Sequence, residues 1–319
     1  DATALNQQLD SLSEQLLKEL NTEILEGSIA YRNGYRWRQT FDPVSIPSPS
    51  QSLIREGGVY LITGGLGGIG LALAAEIAKT PKTKLILISR SGLPDRAEWQ
   101  DWLTGEEEDD SVANKIRRVQ ALEEQGAEVL VLTADVSNHA AMKTSIQEAE
   151  AHFGTINGVI HTAGIAGGGI IQLKTPEKAA TVLSAKLQGT RILDDLFRDK
   201  PLDFMILNSS LSSVMGGVGQ VDYCAANAFL DSFAHYRTHR KGQLTLAINW
   251  DTWQEVGMAV NTTVPEKLQK RREQGLEMGI STAEGQDAFR RLQGLASPQV
   301  IVCTKDLPTV IQCRATPHS

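Results

Sequence analysis

The stretch VYLITGGLGGIGLALAAEIAKT, residues 59–80, decides the fold. A short apolar run, Val59–Thr63, leads into five glycines within seven residues and then into an alanine- and leucine-rich helical stretch. Glycines at such a junction allow a tight turn, close approach of backbone to a pyrophosphate, and close packing of helix on strand. The helix start adds unpaired N–H groups and the positive end of its dipole. A lone G-x-G-x-x-G says little. Placed after a strand and before a helix, it marks Gly64, Gly65, Leu66, Gly67, Gly68, Ile69 and Gly70 as a dinucleotide-binding turn.

Five more apolar runs follow: 84–89, 128–134, 158–163, 204–210 and 246–250. Continuous rather than alternating runs belong to strands covered on both faces, as in parallel sheets. Helix-length stretches separate them at 68–79, 112–125, 138–152, 178–197 and 221–240. This alternation predicts an α/β fold with a doubly wound, Rossmann-type parallel sheet. The second strand ends in Ser89-Arg90-Ser91. An acidic residue there would hold the ribose 2′-hydroxyl of NAD, whereas an arginine fork suits a 2′-phosphate, so NADPH is the expected cofactor. After the third strand, Asp135-Val136 either contacts the adenine or caps the next helix.

Composition agrees with a large globular chain. Of 319 residues, 41% are hydrophobic and 22% charged, which excludes a disordered chain. No apolar run reaches the roughly 18 residues of a membrane span, and the start has no signal-peptide pattern. A net charge of −7 without a basic tract argues against nucleic acid as a partner. Cys224, Cys303 and Cys313 are odd in number and in no metal-binding spacing, so no metal is expected and a reducing, cytoplasmic setting fits. No internal repeat is visible, and the acidic run Glu106–Asp110 reads as a solvated loop.

The fifth strand ends in Asn208-Ser209-Ser210, and Tyr223-Cys224-Ala225-Ala226-Asn227 opens the next helix. With the glycine turn, with His161-Thr162-Ala163-Gly164 after the fourth strand, and with a serine thirteen residues before the tyrosine, the chain resembles the short-chain dehydrogenase/reductase superfamily. The turn alone does not choose a branch: Gly64, Gly68 and Gly70 satisfy TGxxxGxG, and Gly64, Gly67 and Gly70 satisfy TGxxGxxG. Most members carry Tyr-x-x-x-Lys, but here the fourth position is Asn227, and a lysine stands upstream at Lys186. That exchange is similar to ketoreductase domains of modular polyketide synthases and animal-type fatty acid synthases. Gly219-Gln220 through Leu230-Asp231 resembles the family's GQxxYxxANxFLD, and Trp250 to Ala259 its WxxWxxxGMA segment. The resemblance covers roughly residues 25–312.

The resemblance implies that Lys186, Ser210, Tyr223 and Asn227 are catalytic. Tyr223 would donate a proton, Ser210 would hold the substrate carbonyl, Lys186 would lower the tyrosine pKa and bond the nicotinamide ribose, and Asn227 would hold lysine and a relay water. Thr162, Ala163 and Gly164 join the cofactor site. The substrate implied is a β-ketoacyl group on the phosphopantetheine of an acyl carrier protein, with neighbouring synthase domains as partners. His161 and Cys224 read as structural, and Trp250 and Trp253 as lid core or substrate entrance. Two fingerprints of product configuration are absent: Ala166, Gly167 and Gly168 stand where Leu-Asp-Asp is common, and Met215 where tryptophan is. Glycines 167–169 suggest an open approach to the site.

The first 50 residues differ in character. Leu5, Leu9, Leu12, Leu16 and Leu20 trace one helical face over residues 3–22, and Asn33-Gly34 marks a hairpin within residues 28–42. PVSIPSPSQS at 43–52 is a linker. This front piece resembles the tail of the family's structural subdomain, so residues 1–50 are read as a remnant and 51–319 as the catalytic part. Either the chain is a fragment or an inserted methyltransferase or enoylreductase splits the subdomain. A non-catalytic scaffold, a free-standing alcohol dehydrogenase and an α-ketoacyl reductase of a peptide synthetase are the competing readings.

Overall fold

The computed structural model describes residues 2–21, 28–47, 52–104, 111–260 and 266–315. The acidic run Glu106–Asp110 and part of the linker, residues 48–51, lie outside them. Two compact units are present, Asp1–Ser45 with Lys305–Ser319, and Ile46–Thr304.

The first unit holds helix α1 (Ala2–Leu20), the antiparallel pair β1 (Ile29–Arg32) and β2 (Tyr35–Arg38), and a helix at Leu307–Ala315. The hairpin turns at Asn33-Gly34, both with positive φ, 53° and 79°, as an Asn-Gly turn requires. Glu19 of α1 accepts hydrogen bonds from Tyr31 Oη at 2.8 Å and from Arg36 Nε and Nη2 at 2.7 and 2.6 Å. The periodic leucines do form a helix, but Leu9, Leu12, Leu16 and Leu20 are exposed.

The second unit is a seven-stranded sheet, wholly parallel. Its strands are β3 (Val59–Thr63), β4 (Lys84–Ser89), β5 (Glu128–Thr133), β6 (Gly158–His161), β7 (Phe204–Ser210), β8 (Thr245–Trp250) and β9 (Gln299–Val302). They run in the order β5-β4-β3-β6-β7-β8-β9. The helices are α2 (Gly68–Ala78), α3 (Trp99–Thr104), α4 (Ser111–Glu124), α5 (His139–Phe153), α6 (Pro176–Leu196), α7 (Ser212–Met215), α8 (Val221–Lys241), α9 (Glu266–Glu277) and α10 (Thr282–Leu292), with the Leu307–Ala315 helix as α11. The six expected strands are present. The seventh, β9, is short and only half-buried.

Side chains of successive strand residues feed two separate cores, because strand side chains alternate between faces. Tyr60 and Ile62 join α2, α4 and α10 on one face, and Val59 and Leu61 join α5, α6 and α8 on the other. Helix α6 starts at Pro176 rather than 178: Thr175 caps it, accepting from Lys178 N, and Pro176 fits the first helical turn. The order reverses between β3 and β6, and ligands of such sheets bind in the crevice at that switch point, at the strands' C-terminal ends. No helix among the described residues is long and apolar enough to cross a membrane.

Trp250 and Trp253 are core residues, 3% and 2% exposed, packed edge to face at 5.2 Å. Trp253 packs against Gly285 of α10: a Cβ there would fall 2.3–2.7 Å from three ring atoms. Alanine in place of glycine inside a helix ordinarily stabilises by about 1 kcal/mol. Here we expect the opposite sign: Gly285→Ala should lower stability by about 1–3 kcal/mol in urea unfolding, through overpacking.

Candidate active site

The glycine turn occupies the switch point. Gly64 has φ +66°, a region that favours glycine, and a Cβ on it would lie 2.8 Å from the Ala163 backbone. Thr63 and His161 are register partners, which sets Gly64 beside Thr162. Thr162 Oγ1 donates to Thr63 O at 2.7 Å and reaches Gly64 O at 3.2 Å. A Cβ on Gly70 would meet Gly64 O at 2.5 Å. Helix α2 begins after Gly67 with no side-chain cap on its first turn, in a turn where glycine occupies every position from 64 to 68 except Leu66. That arrangement fits a pyrophosphate.

The other expected cofactor residues extend this edge. Ser89 ends β4 and Arg90 and Ser91 follow it, Asp135 and Val136 follow β5, and Thr162, Ala163 and Gly164 follow β6; these strands are neighbours of β3 or one removed. Arg90 is exposed. Asp135 does not cap α5, whose cap is Asn138. It accepts from Ser137 N and Oγ at 2.8 and 2.6 Å, and these bonds, the nearby Arg90 charge assisting, hold its carboxyl below the usual range. Leu66 and Val136 are buried, while Ile69 packs against Gly257.

Lys186 comes from the middle of α6 with 3% of its surface exposed. Its Nζ donates to Asn208 O at 2.6 Å, and Asn208 Oδ1 accepts from Trp250 Nε1 at 2.6 Å. Gly164 leaves room for the lysine stem: a Cβ there would lie 3.1 Å from Lys186 Cε. Burial lowers the Lys186 pKa to about 8, with the Asp231 charge opposing. His161 is fully buried; burial first, then the Lys186 charge, push it down to about 3. It is therefore neutral, with Nε2–H directed at Ala185 O (3.1 Å) and Nδ1 accepting from Thr63 Oγ1 (2.6 Å). It bolts the residue before Lys186 to β3 and β6, a structural task as expected.

Tyr223 and Asn227 stand one turn apart near the start of α8. Asn227 Nδ2 donates to Tyr223 O at 2.7 Å, and its buried Oδ1 has no hydrogen-bond partner among the described residues. Burial pushes the Tyr223 hydroxyl above the ordinary tyrosine value, while the Ser210 and Asn227 side chains pull it down. The Lys186 charge, expected to lower it, is not among these influences. Among the serines, Ser209 Oγ donates to Asn227 O (3.3 Å) and Ser213 Oγ to Asp231 Oδ2 (2.6 Å). Ser210 Oγ, at the end of β7, accepts from Ser212 N at 3.2 Å.

One further turn along α8 stands Asp231, which the sequence reading quoted only inside a motif. Its Oδ2 also accepts from Asn249 Nδ2 at 2.8 Å. Burial raises its pKa, and hydrogen bonds from Ser209, Ser213 and Asn249 together with the Lys186 charge oppose that rise. The spacing Tyr223, Asn227, Asp231 puts all three on one helical face, the signal that could have found it. Burial raises the Cys224 thiol, as suits a packing residue. Of the three glycines read as an open approach, Gly168 and Gly169 do border open space, but Gly167 packs against Asp222 and Tyr223. Among the described residues, no group of three or more His, Cys, Asp or Glu could hold a metal.

A family model for the KR domain matches residues 58–255. The chain is 38% identical over 223 residues to the 6-methylsalicylic acid synthase of Aspergillus terreus, covering 69% of this chain and 12% of that protein. It is 33% identical over 252 residues to the polyketide synthase PksM of Bacillus subtilis, covering 79% and 5%. The chain thus spans a small fraction of the length of these curated relatives. A crystal structure of a ketoreductase domain from the bacillaene assembly line superposes with TM-score 0.72 at 32% identity, covering 98% of this chain and 69% of that one. Levodione reductase, at 21% identity and TM-score 0.61 over 78% of this chain and 96% of that one, shares the fold. The chain thus belongs to the KR domain family, the ketoreductase domains of polyketide synthases, on the short-chain dehydrogenase/reductase fold.

Proposed function

We propose that this domain reduces the β-keto group of an acyl thioester, carried on the phosphopantetheine of an acyl carrier protein, to a β-hydroxyacyl thioester during polyketide elongation. The observation that carries the reading is that Lys186 Nζ bonds Asn208 O near the end of β7, where Ser210 stands, while the Tyr223 hydroxyl interacts with the side chains of Ser210 and Asn227. Bound NADPH supplies the hydride that the carbonyl carbon accepts. The protein's own part is to hold the ketone and deliver a proton to its oxygen. Ser210 Oγ hydrogen-bonds the carbonyl oxygen and stabilises negative charge as it develops there. Tyr223 Oη–H donates the proton, and its raised pKa keeps it protonated at neutral pH. The Lys186 cation stabilises the phenolate left behind. The unmatched Oδ1 of Asn227 is a buried acceptor, which costs free energy unless a donor completes it. A lysine N–H or a relay water is the natural donor.

NADPH rather than NADH is proposed from Arg90, exposed between two serines at the end of β4. Residues 1–50 are read as part of a structural subdomain and 51–319 as the catalytic part. Neighbouring synthase domains are the proposed partners, and the cytoplasm the proposed setting.

Three outcomes test this reading. Tyr223→Phe should lower kcat by about a hundredfold to ten-thousandfold with a β-ketoacyl thioester, the usual range for loss of a general acid; full activity would overturn the mechanism. Arg90→Ala should weaken NADPH about tenfold to a hundredfold, the worth of a charge-assisted contact, with little change for NADH. Finally, kcat/KM should fall as pH rises through about 8, because deprotonating Lys186 removes the cation. Tyr223, with its pKa raised, stays protonated through that range. A pH–rate profile flat well above that point would contradict the role given to Lys186.

A further inference from the structure

Asp231 is a carboxylate only 8% exposed on α8, two turns beyond Tyr223 and one beyond Asn227. Its close hydrogen bonds fall on one oxygen: Oδ2 accepts from Ser213 Oγ at 2.6 Å and from Asn249 Nδ2 at 2.8 Å. The other oxygen, Oδ1, is buried with no hydrogen-bond partner among the described residues. An amide oxygen would accept the same two bonds, so the bonding alone does not call for a charge. Burying a charge is unfavourable unless an opposite one answers it.

The cluster around Asp231 touches the proposed catalytic set at main-chain atoms. Ser213 Oγ lies 2.9 Å from Ser210 O, and Asn249 Nδ2 lies 3.3 Å from the same oxygen. Asn249 is fully buried; its Nδ2 is 2.7 Å from Ser213 Oγ, and its Oδ1 accepts from Gln299 Nε2 at 3.2 Å. Ser209 Oγ, 3.2 Å from Asn249 Nδ2, donates to Asn227 O. Residues of α7, β7, β8 and β9 thus converge on one carboxylate, directly or through Asn249.

The opposite charge is that of Lys186. Its Nζ bonds Asn208 O, and Asp231 holds the partners of Ser210 O, two residues further along β7. Two residues of strand span about 7 Å, so both groups grip neighbouring points of one strand. Charges this near and shielded from water act on each other. They do so in both directions: the Asp231 charge favours the ammonium, and the Lys186 charge favours the carboxylate. The groups around them do not compete. His161 of β6 is neutral, and Tyr223 of α8 stays protonated well above neutrality. Strands β7, β8 and β9 present the uncharged Asn208, Ser209, Asn249, Trp250 and Gln299.

We infer that Asp231 is a positioning residue for the reduction: through Ser213 and Asn249 it fixes the main chain of Ser210, and its negative charge answers the buried Lys186 ammonium. The inference rests on the reductase reading above.

The test follows reduction of acetoacetyl N-acetylcysteamine by NADPH between about pH 6 and about pH 10. It uses the wild type, Asp231→Asn, Asp231→Glu and Ser213→Ala. Asp231→Asn keeps an acceptor and removes the charge. Without that charge Lys186 sheds its proton at lower pH, so the alkaline fall of kcat/KM should move down from about 8 by about one pH unit. At about pH 6 the rate should stay within about threefold of the wild type, and well above the wild-type midpoint it should lie about tenfold lower. Asp231→Glu keeps the charge and should keep the wild-type midpoint. Ser213→Ala keeps the charge but loses a contact to Ser210; it should lower kcat about twofold to tenfold at every pH and leave the midpoint in place. The Lys186 Nζ midpoint, read by nitrogen-15 NMR without substrate, should move down in Asp231→Asn as the kinetic one does. Asp231→Ser, a second neutral variant, replaces Asp231→Asn in both readings if the latter does not fold. A wild-type midpoint in the neutral variant, by rate or by NMR, or a loss uniform across pH, would overturn the inference and leave Asp231 a purely structural residue. A wild type that reduces neither this thioester nor longer β-ketoacyl thioesters would overturn the reductase reading, and with it the catalytic use of Asp231, while the NMR midpoints would still read the pairing of the two charges on their own.

Discussion

Lys186 is a cation folded into the molecule, and taking an isolated ammonium out of water costs several kcal/mol even after relaxation. The structure meets that cost with the carbonyl of Asn208 and, more remotely, with the charge of Asp231. Much of the local architecture follows from it. Gly164 lacks a side chain where the lysine stem passes. His161, in the field of the same cation, stays neutral and spends both ring nitrogens on holding β3 and α6. Asn208 is in turn fixed by Trp250, so a tryptophan of the adjacent strand bears on the lysine through one intermediary.

The sheet makes this arrangement possible. Because the strand order reverses between β3 and β6, the loops leaving those strands diverge and open a crevice. The glycine turn lines one side of it, and the ends of β6 and β7 the other. Helices α6 and α8 pack on the same face of the sheet, so Lys186 and the Tyr223–Asn227–Asp231 face approach one another from different helices. Two layers of core, fed by alternate residues of each strand, keep these elements in register.

Much of this was legible in the sequence. The buried strands announced themselves as continuous apolar runs, since a residue covered on either face has no call for polarity. The turn was legible because close backbone approach forces glycine at fixed spacing, whereas the set Lys186, Ser210, Tyr223 and Asn227 was proposed from the family resemblance. Strand β9 escaped because QVIV is short and half-exposed, and so lacks that signal. The pair Lys174–Asp222 escaped for another reason. Each residue is unremarkable locally, and only the folded chain brings together positions 174 and 222. Gly167 was misread in the same way: loose in the sequence, it is in fact close-packed against Asp222. The fate of the glycine depends on a neighbour that the local sequence does not name.

The account turns on whether Lys186 is a buried cation poised near neutrality. The direct measurement is a titration of its Nζ by nitrogen-15 NMR in the intact chain, with the resonance assigned by its loss in Lys186→Met. A midpoint at about 8 is the expected result. A midpoint at the ordinary lysine value of 10.5 would place the ammonium in a water-like setting and contradict the account.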